Sequence, residues 1–155
     1  MTALRRASES RPSQTGLPRT FRPRLGRYLP WALGLVLFLA ALTLAVLLPA
    51  SWSAADRTLM VLTGLAMGEF LRRVGSVRVR ADEDGLLVVN ILSRERLAWA
   101  QVVSLRLREG DPWLVLDLDD GTTLSAMGVQ GSEGAWAREQ AVELATLVAR
   151  RSALG

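Results

Sequence analysis

The sequence contains no cysteine, no histidine and no lysine. Without cysteine the chain can form neither a disulfide framework nor a thiolate nucleophile or metal ligand. Without histidine it lacks the commonest general base and the commonest transition-metal ligand. Its serines therefore have no familiar base with which to form a nucleophilic pair. We expect a non-enzymatic protein with no catalytic residues, no metal site and no cofactor.

Charge is unevenly distributed along the 155 residues. Residues 1–73 hold ten arginines and three acidic residues, a balance of +7, and residues 74–155 hold nine arginines and twelve acidic residues, a balance of −3, which together give the net charge of +4. The C-terminal part thus lacks the basic face that nucleic-acid binding requires. The basic part adjoins apolar segments, where attraction to anionic lipid head groups is the simpler interpretation.

The N-terminal third combines a polar tail with a long apolar segment. Residues 1–27 are rich in arginine, serine and proline, a composition that predicts a disordered basic tail on the cytoplasmic side. Residues 28–48 contain no charged side chain and would extend about 31 Å as a helix, which matches the hydrocarbon core of a bilayer. A cleaved signal peptide is the alternative, but apolar cores of signal peptides run only about 7–15 residues.

A second apolar run follows, from Thr58 to Leu71. Extended to residues 54–73 it reaches a spanning length, because charged side chains at its ends can snorkel to the interface. Gly64 and Gly68 fit the G-x-x-x-G pattern of closely packed helices. The sequence therefore predicts a two-helix transmembrane hairpin over residues 28–73. The alternative is that the second run does not span the membrane.

Orientation follows from the distribution of arginines. They cluster before the first segment and after the second, whereas the connection between the segments holds one arginine against one aspartate. By the positive-inside rule, both termini are expected in the cytoplasm, in a multi-pass protein of the plasma membrane. Four arginines after the second segment are candidate contacts with the membrane surface: Arg72, Arg73, Arg78 and Arg80. The alternative is that Arg78 and Arg80 are simply charged side chains of a strand that point into water.

Glu69 is the intramembrane polar residue of the predicted hairpin. Ionisable residues inside membranes often carry function. Glu69 lies four residues before Arg73, however, and an i,i+4 ion pair near the interface is the interpretation we favour.

From Ser76 onward the apolar residues alternate with a period of two, and the pattern predicts antiparallel strands separated by turns. Asp82-Glu83-Asp84-Gly85 reads as one such turn, and residues 109–112 form a loop that closes a hairpin. Folding the chain at that loop places Leu105 opposite Leu116 and Arg106 diagonal to Asp117. Residues 133–151 then show a helical apolar stripe, with Ser132 as the expected N-cap. Residues 152–155 are a short tail.

Several features of residues 74–151 resemble the bacterial pleckstrin-homology (PH) domains of actinobacterial membrane proteins, of the low-molecular-weight protein antigen type. The features are an ordered set of turns, strands and tryptophans: Asp84-Gly85-Leu86, Asn90, residues 97–102, residues 110–113 and Asp120-Gly121. The resemblance implies a PH-like antiparallel barrel or bent sheet with a C-terminal amphipathic helix. The expected fold is thus a membrane-anchored α+β protein. The resemblance implies no established activity.

Some eukaryotic PH domains bind phosphoinositides through a basic turn between their first two strands. We match that turn to Asp82-Glu83-Asp84-Gly85, whose charges would repel a phosphorylated head group, so phosphoinositide binding is doubtful. We expect instead a membrane-tethered module that scaffolds or recruits an unidentified protein partner at the inner membrane face. The alternatives are an accessory subunit of a membrane transport or enzyme complex, in which Glu69 matters, and weak binding of anionic lipid.

Overall fold

The structure is a computed structural model that describes residues 16–24, 26 and 28–153. Its strands and helices follow in a simple order. A short first strand precedes two helices, six more strands come next, and a third helix ends the described chain: β1 (Arg19–Phe21), α1 (Leu29–Leu47), α2 (Ala54–Val74), β2 (Arg78–Ala81), β3 (Gly85–Val89), β4 (Arg94–Ala98), β5 (Val102–Arg106), β6 (Trp113–Leu118), β7 (Thr123–Gln130) and α3 (Ala135–Ser152).

The strands form two antiparallel sheets, one with the order β1-β2-β3-β4 and one with the order β5-β6-β7. The two sheets meet where β7 crosses β2. At this crossing a Cβ on Gly128 would lie 2.6 Å from the carbonyl carbon of Arg78, so only glycine permits the approach. α3 packs against β5 and β7, and its apolar stripe completes the core, which contains Leu86, Leu114, Leu116, Leu144 and Val148.

The first strand corrects the prediction of a disordered tail over residues 1–27. Arg19–Phe21 pairs with β2, with Phe21 opposite Val79, and the Phe21 side chain is only 3% exposed. Leu17 is buried in the same core. Burying these two apolar side chains offsets the entropy of ordering a short segment, although the surrounding sequence is polar. Residues 1–15 lie outside the described part of the chain.

α1 and α2 form a closely packed hairpin, as the glycine pattern predicts. A Cβ on Gly64 would lie 2.6 Å from the Cβ of Ala41, and a Cβ on Gly34 would lie 3.3 Å from the carbonyl oxygen of Gly68. These small residues let the two backbones approach each other.

The turn of the hairpin is held by side chains at both helix ends. Ser53 and Asp56 form a capping box that begins α2. The Arg57 guanidinium donates hydrogen bonds to three carbonyl oxygens at the end of α1, those of Ala45, Leu48 and Pro49. A cation at this position also complements the negative end of the helix dipole.

The two helices differ in their suitability as membrane spans. Within the described residues, α1 is the one helix that is long and apolar enough to cross a membrane by length and composition. α2 is of similar length but carries five charged residues: Asp56, Arg57, Glu69, Arg72 and Arg73. The predicted pair of helices is thus present. Two membrane spans are not confirmed, because only α1 among the described helices is apolar enough to be a candidate span.

In the second sheet the predicted register is confirmed, with Leu105 opposite Leu116. Arg106 forms an ion pair with Asp117. In the sequence Val103 alternates with Ser104 and is expected on the same inward face as Leu105. It is instead 65% exposed, because the pairing shifts by one residue between Val102 and Ser104. Such a bulge turns one side chain out of the alternating pattern.

The start of α3 also differs from the sequence-based prediction. Gly131–Glu133 forms a 3₁₀ turn, so Ser132 does not cap α3. Gly134, with a φ of +59°, is the residue before the helix. A left-handed backbone favours glycine at this position, which explains why the helix begins later than its acidic and apolar pattern suggests.

Candidate functional site

The four-stranded sheet has two chemically different ends. At the end beside the helical hairpin, one cross-strand row is formed by Arg78, Val89 and Arg94. At the opposite end, the turn between β2 and β3 carries Asp82, Glu83 and Asp84. The sheet thus presents basic side chains at the end beside the helical hairpin and acidic side chains at the opposite end.

This arrangement corrects the match made for the acidic turn. Because Arg19–Phe21 is the first strand, the connection between the first two strands is the helical hairpin, and Asp82–Asp84 joins the second strand to the third. The charges of this turn are also partly compensated, since Arg96 forms ion pairs with Asp82 and Asp84. The charges of this turn therefore do not bear on whether the basic end of the sheet binds an anionic group.

Arg78 is the centre of a group of like charges. Burial lowers the pKa of its guanidinium, and so do the positive charges of three neighbours, Arg22, Arg94 and Arg80. Arginine nevertheless stays protonated at physiological pH. Within the described residues, none of these four arginines forms an ion pair with an acidic side chain. The cluster is thus a concentration of positive charge without an ion pair to any acidic side chain in the described part of the chain.

An exposed apolar loop lies beside this cluster. Residues 90–93 connect β3 to β4 at the hairpin end of the sheet, and Leu92 is 85% exposed. The loop is fixed by Asn90, whose amide nitrogen donates to the carbonyl oxygen of Ser125 at 2.7 Å and whose amide oxygen accepts from the backbone N–H of Met127 at 3.1 Å. The structure thus places one exposed apolar side chain, Leu92, on a loop that hydrogen bonds hold beside the basic residues.

The predicted surface arginines divide into two groups. Arg78 and Arg80 lie in the basic cluster described above. Arg72 and Arg73 instead bind Glu69 in the last turns of α2, at 2.6 Å and 2.9 Å. The ion pair of Glu69 with Arg73 is thus present, with Arg72 as a second partner, and the place of Glu69 relative to a membrane stays a prediction.

Sequence reasoning missed three residues of this end of the domain. Arg22 was assigned to the tail, and its position became visible only through the pairing of β1 with β2. Leu92 lies in the turn that follows Asn90, and an apolar residue at the tip of a turn is the signal for it in the sequence, whereas Arg94 is the first residue of β4 and has no such signal.

The comparisons with known proteins concern the second half of the chain. Residues 76–151 match the family model described as Bacterial PH domain. No curated protein and no solved structure shows a significant match. The matched region begins at Ser76 and therefore does not include β1, which the structure places in the same sheet.

Proposed function

We propose that this protein is a membrane-tethered, non-enzymatic PH-like module that recruits a protein partner at the inner face of the plasma membrane. The family match supports an interaction module, since the PH-like family is one of protein- or lipid-interaction domains. The main support for a tether is the pairing of β1 with β2, because these two strands flank the helical hairpin and join both of its ends to the domain.

The pairing limits how the hairpin can lie in a bilayer. Residues 22–28 join β1 to α1 and could extend at most about 25 Å, and residues 75–77 join α2 to β2 over about 10 Å. Both distances are shorter than a bilayer with its head groups, about 40–45 Å. The start of α1 and the end of α2 therefore lie on the side of the domain. If α1 crosses the membrane, α2 must return.

The exposed surface of the hairpin supports its burial in lipid. Large apolar side chains of both helices are about half exposed, among them Leu35, Leu39, Leu44, Leu62 and Phe70. A contiguous apolar surface of this kind is rare on proteins in water. Lipid would cover it, and the charges of α2 lie close to its two ends, where head groups and water can reach them.

A free strand edge is the surface we assign to the protein partner. Within the described residues β5 pairs on one side only, with β6, and its exposed Val103 lies on that strand. An extended segment of a partner could add a strand at this edge, with main-chain hydrogen bonds providing affinity. The edge belongs to the domain and not to the hairpin, and Val103 is the exposed position on β5, which α3 also contacts.

Reporter fusions test the tether. A phosphatase that is active only outside the cell and a fluorescent protein that is active only inside are each placed after Gly155, and a second pair is placed after Trp52 in the hairpin turn. We expect fluorescence after Gly155 and phosphatase activity after Trp52. Phosphatase activity after Gly155 would place the domain outside the cell, and the proposal of an inner-face module would be wrong; the reporter after Trp52 then shows whether the hairpin is inverted or α2 does not return.

Glu69→Gln separates the tether from an accessory subunit that uses an intramembrane carboxylate. Because Glu69 makes local contacts with Arg72 and Arg73, we expect the variant to retain membrane insertion and reporter topology and to capture partners by crosslinking as the unmodified chain does. Lost capture with unchanged topology would favour the accessory subunit. Glu69→Ala is the companion variant, because it also removes the hydrogen-bonding capacity that glutamine keeps.

A further inference from the structure

Two columns of arginines flank an apolar strip on the outer face of the four-stranded sheet. Alternation from the core residues of β2, β3 and β4 places six side chains on this face: Arg78, Arg80, Leu87, Val89, Arg94 and Arg96. The register forms two rows across the strands, each with an apolar residue of β3 between an arginine of β2 and an arginine of β4. The face therefore combines positive charge on both flanks with an apolar centre.

Three of the four arginines on this face can still accept an acidic partner. Arg78, Arg80 and Arg94 form no ion pair with the part of the chain that the structure describes, whereas Arg96 is already paired with the acidic turn between β2 and β3. Arg80 and Arg94 also act on Arg78 as neighbouring positive charges. Carboxylates placed among these guanidinium groups would relieve their mutual repulsion, so the face favours an acidic partner.

The spacing of the two columns fits an α-helix. Neighbouring strands lie about 4.8 Å apart, so the arginine columns of β2 and β4 are about 10 Å apart, which is about the diameter of a helix with its side chains. A helix lying along β3 would place its apolar stripe on Leu87 and Val89 and its two flanks beside the arginines. Acidic residues one turn apart on such a helix are separated by about 5–6 Å, close to the spacing of about 7 Å between Arg78 and Arg80 along β2.

We propose that the outer face of this sheet binds an acidic amphipathic helix of a protein partner. Carboxylates of the helix pair with Arg78 and Arg80 on one flank and with Arg94 on the other, because the planar guanidinium group matches a carboxylate through two parallel hydrogen bonds. A membrane surface fits the face less well, since Arg80 lies about 7 Å farther from the helical hairpin along β2 than Arg78 does. The inference rests on the proposed recruitment of a protein and adds a second surface to the edge of β5.

The test uses the full-length chain in phosphatidylcholine nanodiscs, and its probe is a fluorescent synthetic peptide of about 18 residues, or about five helical turns. The peptide contains alanine, a helical stripe of leucines and glutamates on both flanks of that stripe. Fluorescence anisotropy reports its binding, and nanodiscs without protein give the blank. A second peptide carries glutamine in place of glutamate, and a third has the same composition in scrambled order. We expect saturable binding of the first peptide that weakens with added salt, and at least about tenfold weaker binding of the other two.

Two substitutions on the face and one control locate the bound peptide. Arg80→Gln and Arg94→Gln lie on opposite flanks, and both side chains are exposed, so neither should disturb the fold. Each should weaken the affinity for the glutamate peptide about fivefold, which corresponds to one lost ion pair at a protein surface. Arg138→Gln, at an exposed position of α3, removes the same charge away from the sheet and should bind the peptide as the unmodified chain does.

The proposal is overturned by the absence of saturable binding, by equal binding of the scrambled peptide, or by equal affinities in the two sheet variants and the Arg138→Gln control. A further outcome is that the peptide does not bind and that the sheet variants, unlike the control, reduce the stabilisation of the chain by phosphatidylglycerol. The face would then contact the membrane, and the proposal would be wrong. Binding in nanodiscs does not depend on topology in the cell, so a failure here is distinct from a failure of the reporter fusions.

Discussion

Replacing Phe21 by alanine is expected to remove a large part of the stability of the domain. The side chain is 3% exposed and packs in the core from a strand that precedes the helical hairpin. Removing a buried phenylalanine costs about 3–5 kcal/mol, and a small domain has a total free energy of unfolding of about 5–15 kcal/mol. The measurement is urea denaturation of the full-length protein in detergent micelles, followed by tryptophan fluorescence.

Thr20→Ala is the matched control for this experiment. Thr20 lies next to Phe21 in the same strand, opposite Arg80, and is exposed, so its loss should change the free energy of unfolding by less than about 0.5 kcal/mol. If Phe21→Ala were as mild as Thr20→Ala, β1 would not belong to the domain. The argument that both ends of the hairpin lie on one side of the membrane would then lose its basis.

Features that depend on neighbours close in sequence could be predicted. The hairpin of β5 and β6 follows from alternation on both sides of one loop, and its register places Arg106 beside Asp117. The contacts of Glu69 with Arg72 and Arg73 follow from the helical period alone. In each case the partners lie within a turn of helix or a hairpin, so a single period determines the contact.

The pairing of Arg19–Phe21 with β2 could not be predicted in this way. The two strands are separated by the whole helical hairpin, and three residues are too few to show an alternating pattern. The composition of residues 1–27 is that of a disordered segment, and among its described residues Leu17 and Phe21 are the ones that join the hydrophobic core. The position of Arg22 in the basic cluster could not be predicted for the same reason. Arg22 directly follows β1, and the composition of the segment does not predict that strand.

The side chain of Val103 shows a second limit. Alternation predicts that it points inward, and one shifted pair in the ladder turns it outward instead. Composition does not reveal where a bulge falls, because the position depends on how β5 must bend against β6. The surface that we assign to a protein partner was therefore visible only in the folded chain.

Gly128→Ala is expected to open the domain where its two sheets meet. A Cβ at this position would lie 2.6–2.7 Å from three backbone atoms of Arg78 and Val79, which cannot move as a flexible side chain would. β7 must then separate from β2, and overpacking of this kind costs about 3 kcal/mol. Because Arg78 lies at the contact, the change should also displace the centre of the basic cluster.

Ser125→Thr supplies the comparison, since it also adds one methyl group to β7, at a position that is partly exposed. It should leave the free energy of unfolding within about 0.5 kcal/mol of the unmodified chain. The same urea denaturation in micelles measures both variants. Equal stability of the Gly128→Ala and Ser125→Thr proteins would show that β7 does not touch β2 so closely. The basic cluster would then not owe its geometry to the crossing of the two sheets, and Arg78 would be held by its own strand alone.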